Sequence, residues 1–356
     1  PTSLQYGSEG MGAAISLRSM DLKSLKTNRS DLVLEGGSFA TGKAALEQSI
    51  VGEGWAMGWS ANARSSENDR AHSQYDSHGG TLSFRKVVSE ALVLDLVGTG
   101  FESGLELPGP TYSPSHLDYQ DSYNYIISPG FSLSGDEWQV LAHYTYGTDW
   151  VDSYTAGTWG SYRTVGKSVQ QQTELVHRIE LSDSLAWRGG LSFLDQSFQM
   201  SEDAEIDQRR NTKAIHGSFD WRPSDSIEWS DGIRAEDHSS YENPVIGSLS
   251  TKWALQEGFA LHGRWAEGFS PPTGNDLYFP GSGNPDLKPE EGRTMELGIS
   301  VGSRQSAWAG NLTFFETEME QLIEFGMPNS NIGEIEIQGI ELSTEVRMTE
   351  SLRGFL

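Results

Sequence analysis

The sequence predicts an all-β protein, and within that class a transmembrane antiparallel β-barrel. Three observations carry the prediction. Apolar and polar residues alternate with a period of two along nearly the whole chain. The alternating runs are often about ten residues long, which suits a tilted membrane strand better than the usual shorter soluble strand. Connections take turns between tight and long, as a barrel with short turns at one rim and long loops at the other would require.

The alternation is explicit in 259–266, where Phe259, Leu261, Gly263 and Trp265 oppose Ala260, His262, Arg264 and Ala266. In 294–301, Met295, Leu297, Ile299 and Val301 oppose Thr294, Glu296 and Ser300. The segments 185–193, 307–315 and 340–348 repeat the pattern. Each is a strand with one dry and one wet face. Alternation alone fits a soluble β-sandwich too. Strand length, full charges on the wet faces and the order of connections favour the barrel.

Tight connections are marked by Ser134-Gly135-Asp136, Ser182-Asp183-Ser184, Pro223-Ser224-Asp225, Gln256-Glu257-Gly258 and Gly302-Ser303-Arg304. Long ones are expected near 66–77, 102–120, 150–169, 199–210, 269–290 and 321–334. About sixteen strands fit between Arg29 and Met348, with another starting at Leu352. Trp138, Trp187, Trp221, Trp229, Trp253 and Trp308 lie close to the tight turns, where an interfacial aromatic girdle would sit. Ordinary packing in a β core would also explain any one of them.

The net charge of the 356 residues is -25, and Lys and Arg clusters for phosphate binding are missing, which argues against a nucleic-acid partner. Hydrophobic residues make up 36%, with no apolar run long enough for a spanning helix. No cysteine is present, so disulfides and thiolate metal sites are excluded. The eight histidines show no metal-ligand spacing, and no phosphate loop or catalytic set stands out. The expectation is a binding protein without a cofactor, not an enzyme.

Two segments carry a family likeness. The first holds Tyr6-Gly7-Ser8 and then Gly12-Ala13-Ala14-Ile15. The second reads Gly268-Phe269-Ser270-Pro271-Pro272-Thr273, Asp276-Leu277-Tyr278, Gly283-Asn284-Pro285-Asp286-Leu287-Lys288-Pro289-Glu290 and Met295-Glu296-Leu297-Gly298. Phe314-Phe315, Leu322-Ile323, Asn331 and Gln338-Gly339-Ile340-Glu341 follow in order. The whole resembles the TonB-dependent outer-membrane receptors, with Ser270-Pro271 where Arg-Ala is commoner. The layout of connections is most similar to the vitamin B12 and small-siderophore branch.

The resemblance implies that residues 1–20 are the end of a plug domain and 21–356 the receptor barrel. Family barrels close with 22 strands around a plug, so about six strands, most of the plug and the Ton box are expected outside this chain. Such an unclosed barrel is not expected to insert or transport alone. The implied location is the outer membrane of a Gram-negative bacterium. The implied partners are outer-membrane lipid and lipopolysaccharide, a scarce nutrient such as a ferric siderophore or cobalamin, and the inner-membrane TonB energising complex. A passive porin or adhesin-type barrel is the alternative function.

Candidate ligand contacts are amphipathic rings expected in outer loops: Tyr112 and Tyr119, Trp150, Tyr154, Trp159 and Tyr162, and Tyr278 and Phe279. Phe101 and His116 flank the first group. An upper girdle at the lipopolysaccharide interface is the competing reading for each. Glu67, Asp69 and Asp76 occupy the loop that binds calcium in vitamin B12 receptors, but three acids among 50 do not define a site. The acidic balance disfavours a highly anionic ligand.

Overall fold

The computed structural model describes residues 27–157, 160–202, 206–302, 306–349 and 352–355. Expectations placed on 1–20, including the plug strand, and on Trp159 lie outside the described residues. No described helix is long and apolar enough to cross a membrane, which says nothing of strands.

The strands follow one another with few interruptions. They are β1 (Arg29–Gly37), β2 (Thr41–Gly52), β3 (Trp55–Ser66), β4 (Tyr75–Val87), β5 (Leu92–Glu106), β6 (Tyr119–Ser134), β7 (Trp138–Gly157), β8 (Gly160–Ser182), β9 (Leu185–Glu202) and β10 (Ile206–Ser224). Then come β11 (Ile227–His238), β12 (Val245–Gln256), β13 (Phe259–Ser270), the short helix α1 (Gly274–Tyr278), β14 (Glu290–Val301) and β15 (Trp308–Glu320). A two-residue pair, β16 (Ile323–Glu324) and β17 (Ser330–Asn331), precedes β18 (Glu334–Arg347) and β19 (Arg353–Phe355). Apart from β16 and β17, the strands belong to one 17-stranded sheet. Its strands from Arg29 to Arg347 match the expected number, and β19 is the extra one foreseen at Leu352.

Two expected loops are corrected. Most of 150–169 and of 199–210 is strand, because β7 and β8 run for 20 and 23 residues and β9 and β10 for 18 and 19. These extensions lack the dry face used to recognise strands, since ladder hydrogen bonds and polar cross-strand pairs hold them instead. Ser153 and Thr164 hydroxyls lie 2.8 Å apart, and Arg163 binds Asp152 through two hydrogen bonds.

The chain divides into two compact units. In the first, which holds β1–β7, one row of side chains passes Leu32↔Leu46, Trp59↔Leu82, Leu82↔Gly98, Gly98↔Ile127 and Ile127↔Tyr146. In the second, which holds β11–β19, Ile227↔Trp253, Trp253↔Leu261, Leu261↔Ile299, Ile299↔Leu312 and Leu312↔Leu342 form another. Among the described residues, large apolar side chains on these rows stand exposed. Leu34 is 71% exposed, Leu297 64% and Ile340 73%. Buried apolar residues are few among those described, and four of the nine are alanines. A soluble sandwich would bury its Leu and Ile, at about 1.5–3 kcal/mol for each side chain. Here the apolar face is the outside, which is the arrangement of a lipid-facing sheet. The tryptophans Trp138, Trp221, Trp229, Trp253 and Trp308 stand on this face at the tight-turn ends of their strands.

Turn chemistry follows the sequence. Gly258 and Gly302 adopt φ +73° and +77°, and Gly302 N–H donates to the Gly258 carbonyl at 2.6 Å. A Cβ on Gly302 would lie 2.2 Å from the backbone oxygen of Trp308. Both the dihedral and the contact exclude a side chain. Gly302→Val is therefore expected to cost about 1–3 kcal/mol or more, visible as a lower urea midpoint on unfolding from lipid. An unchanged midpoint would show that this turn is not fixed.

Candidate functional site

The face opposite the apolar rows is polar and internally bonded. In the first unit, Arg85 Nη1 donates to Asp95 Oδ1 at 2.8 Å, the Thr81 and Thr99 hydroxyls meet at 3.2 Å, and Ser128 and Thr145 at 2.9 Å. In the second unit, Thr294 and Thr317 meet at 3.0 Å and Ser300 donates to Asn311 at 2.7 Å. His262, Glu296, Thr313, Thr317 and Glu341 contribute to a 450 Å³ cavity on that polar face. Charge and hydroxyl groups in such density belong in water or against a polar partner, never in hydrocarbon.

At the long-loop end of the first unit, the segments 67–74 and 107–118 are stitched together. Arg70 Nη2 donates to the Gly109 carbonyl at 2.8 Å, and His72 Nε2 lies 2.8 Å from the Asp118 carbonyl. The buried Asp118 carboxylate accepts from Ala156 N–H at 2.7 Å, which ties the loop to β7. Of Glu67, Asp69 and Asp76, which the sequence alone did not define as a site, Asp76 accepts from Gln74 at 2.7 Å, and Glu67 and Asp69 are exposed. Among the described residues no three His, Asp or Glu side chains converge as a metal site.

The candidate rings divide between the two faces. Tyr112 tips loop 107–118 and is 89% exposed. Tyr162, alternating with Thr164, is on the polar side of β8, where Thr164 meets Ser153. Tyr119, Trp150 and Tyr154 belong to the other face: Tyr119↔Tyr154 and Tyr123↔Trp150 continue the parity of Ile127↔Tyr146. The Tyr119 and Tyr154 rings stack at 5.9 Å, and Tyr123 tilts on Trp150 at 4.8 Å. Parity along β6 and β7 could have separated these from Tyr162, had the strands been seen to continue.

At the long-loop end of the second unit, the proline-rich segment builds a packed cap. Thr273 caps α1 by accepting from Asp276 N–H, and Asp276 accepts in return from Thr273 N–H. Phe269, Pro272, Leu277 and Leu287 are buried beneath it. The β16–β17 hairpin clamps the cap through two asparagines. Asn329 N–H donates to the Ser282 carbonyl at 2.7 Å, and its side chain to the Asp276 carbonyl at 3.2 Å. Asn331 donates to the carbonyls of Gln321 and Lys288 and accepts from Lys288 N–H. Tyr278 and Phe279, at the end of α1, are half-buried on this frame.

The residues missed by sequence reading are Arg234, Glu236 and His238, a buried polar line on β11. Arg234 Nε donates to Glu236 Oε1, His238 Nε2 lies 2.7 Å from Glu236 Oε2, and Thr212 Oγ1 is 2.9 Å from His238 Nδ1. Their i, i+2, i+4 spacing, all of one parity, was the available signal.

The β-barrel family described as TonB dependent receptor-like matches residues 29–355. The vitamin B12 transporter BtuB of Photobacterium profundum is 26% identical over 364 residues, covering 95% of this chain and 57% of its own length. Its Vibrio cholerae counterpart is 21% identical over 82% of this chain and 42% of its own length. This chain thus spans about half the length of these relatives. Among solved structures, the siderophore receptor PirA of Pseudomonas aeruginosa superposes with TM-score 0.78 at 17% identity, over 99% of this chain and 69% of that one. The copper transporter OprC superposes with TM-score 0.77 at 11% identity, over 92% and 60%. An outward apolar face, a hydrogen-bonded polar face, a cap at the long-loop end and a match across nearly all described residues agree: the chain belongs to the TonB-dependent receptor β-barrel family.

Proposed function

We propose that this chain is the barrel portion of an outer-membrane receptor that imports a scarce nutrient, such as a ferric siderophore or cobalamin, with energy supplied through the inner-membrane TonB complex. The observation that carries the reading is the family match from 29 to 355. The vitamin B12 transporters, siderophore receptor and copper transporter named above give the class of cargo its outline. No enzymatic step is assigned to the chain.

Tyr112, Tyr162, Tyr278 and Phe279 are the proposed ligand contacts, and Trp159, outside the described residues, is proposed with them from the sequence. Each of the four described rings is at the long-loop end of its own unit and off that unit's outward apolar row, where a ring can meet a chelate or ring-bearing molecule. Tyr119, Trp150 and Tyr154 are not carried into this proposal, because their face is continuous with the lipid-facing one.

A deletion strain and its parent, grown on defined ferric-siderophore or cobalamin sources, test the reading. Growth on one source should fall to background in the deletion strain, and uptake of that source by the parent should stop when the proton motive force is collapsed. Uptake that survives that collapse would replace the importer with a passive porin.

A further inference from the structure

We propose that the polar face at the long-loop ends of β8, β9 and β10 is a one-way hydrogen-bond donor site, its polarity set by Arg210, that receives an oxygen-acceptor group of the imported nutrient. The proposal rests on the importer reading above and adds to it the chemistry that one stretch of the polar face recognises.

The side chains dictate the direction of the row. Arg210 Nε donates to Gln196 Oε1 at 2.8 Å, and Gln196 Nε2 donates to Gln170 Oε1 at 3.3 Å. A guanidinium has no acceptor atom, so Gln196 can meet Arg210 only through its oxygen. Its nitrogen must then face Gln170, which answers with its own oxygen and is left with Nε2 as the terminal donor. Had a hydroxyl or an imidazole started the row, both amides could reverse. With arginine neither can. All three residues belong to the first compact unit. Gln170 shares the parity of Tyr162 and Thr164, which is the polar side of β8.

Strand pairing by itself does not call for amides here. One residue back on both strands, and so on the other face, Arg209 Nε donates to Asp195 Oδ1 at 2.9 Å in a two-pronged charged pair. An acid at 196 would hold Arg210 at least as firmly, because charge-assisted hydrogen bonds are the stronger ones. It would also end the row, since a carboxylate has no hydrogen to pass to Gln170. The amide keeps the row donating through a weaker bond, as a site for an incoming acceptor requires. A membrane strand crosses the hydrocarbon in roughly 9–11 residues. Counted from Ser182 on β8 and from Leu185 on β9, Gln170 and Gln196 stand just past the outer end of that span. All three side chains are half-buried, within reach of a solute. Hydroxamate, catecholate, carboxylate and carbonyl oxygens match such a row, whereas an ammonium group meets the wrong polarity.

The test uses the full-length receptor in detergent and three probes, titrated by quenching of tryptophan fluorescence. Ferrichrome and ferric enterobactin present chelating oxygens that only accept, and cyanocobalamin presents amides that also donate. At least one oxygen-acceptor probe is expected to bind, with Kd raised about tenfold in Gln170→Met, which keeps the length and removes the terminal donor. Gln196→Glu should raise Kd by a similar factor while its unfolding midpoint stays at or above the parent's, a split that a merely structural role would not give. Gln172→Glu, two residues away on the same face, controls for added charge and should leave Kd unchanged. Unchanged affinity in either Gln170→Met or Gln196→Glu would overturn the proposal, as would an equal loss in Gln172→Glu. A parent that binds cyanocobalamin alone, or none of the three probes, would overturn it too. Energy-dependent uptake alongside any of those results removes the donor site and keeps the importer. The expected binding pattern without energy-dependent uptake removes the importer and keeps the donor site.

Discussion

Leu297→Arg is expected to cost about 2–4 kcal/mol of folding stability in a lipid bilayer, whereas Glu296→Gln, one residue away, should stay within about 0.5 kcal/mol. The two positions differ only in face. Leu297 is 64% exposed, pairs with Gly263 and Phe314, and stands near the middle of the outward apolar row. Glu296 lines the polar cavity with His262 and Glu341. In water an exposed Leu-to-Arg change is nearly free, so the cost arises only if hydrocarbon surrounds the site. Beyond Met295 the outward face turns polar, with Arg293 bound to Glu318, which bounds the membrane zone on this strand. Urea unfolding from vesicles measures both variants. If Leu297→Arg costs no more than Glu296→Gln, the outward face does not meet lipid, and the membrane interpretation of this sheet fails.

The strands with an outward apolar row were legible because a one-sided apolar face imposes a period-two code: Leu261, Ile299, Leu312 and Leu342 are readable one by one. Their continuations toward the long-loop end were not, since 150–157 and 160–169 carry no regular apolar and polar alternation. The loop residues chosen there as ligand contacts consequently split, with Tyr162 on the polar side and Tyr119, Trp150 and Tyr154 on the outward side. Likewise the proline-rich motif was recognisable, but its clamp was not. Asn329 and Asn331 meet Asn284 and Lys288 across 45 and 43 residues, a separation that no local pattern encodes.

Glu236→Gln is expected to destabilise the receptor by about 3–5 kcal/mol, because it breaks a buried ion pair and strands the partner charges. The Arg234, Glu236 and His238 side chains are 8%, 1% and 1% exposed. Glu236 Oε2 and His238 Nε2, 2.7 Å apart, have no partner beyond each other among the described residues. His238 also packs on Tyr241, ring centres 4.0 Å apart, and edge-on against buried Phe269. The carboxylate thus holds the imidazole that anchors segment 239–244 and the base of the cap, so the variant should also open that segment to protease. The neighbouring exposed pair supplies the control. Lys213 and Asp237, partners on the opposite parity at 3.5 Å and 64% and 63% exposed, bind in solvent where an ion pair is worth about 0–1 kcal/mol. Asp237→Asn should therefore leave the unfolding midpoint almost where it was. Should the two variants prove equally mild, the Arg234–Glu236–His238 line is hydrated in the native receptor, and the outer cap is held by its asparagine clamp alone.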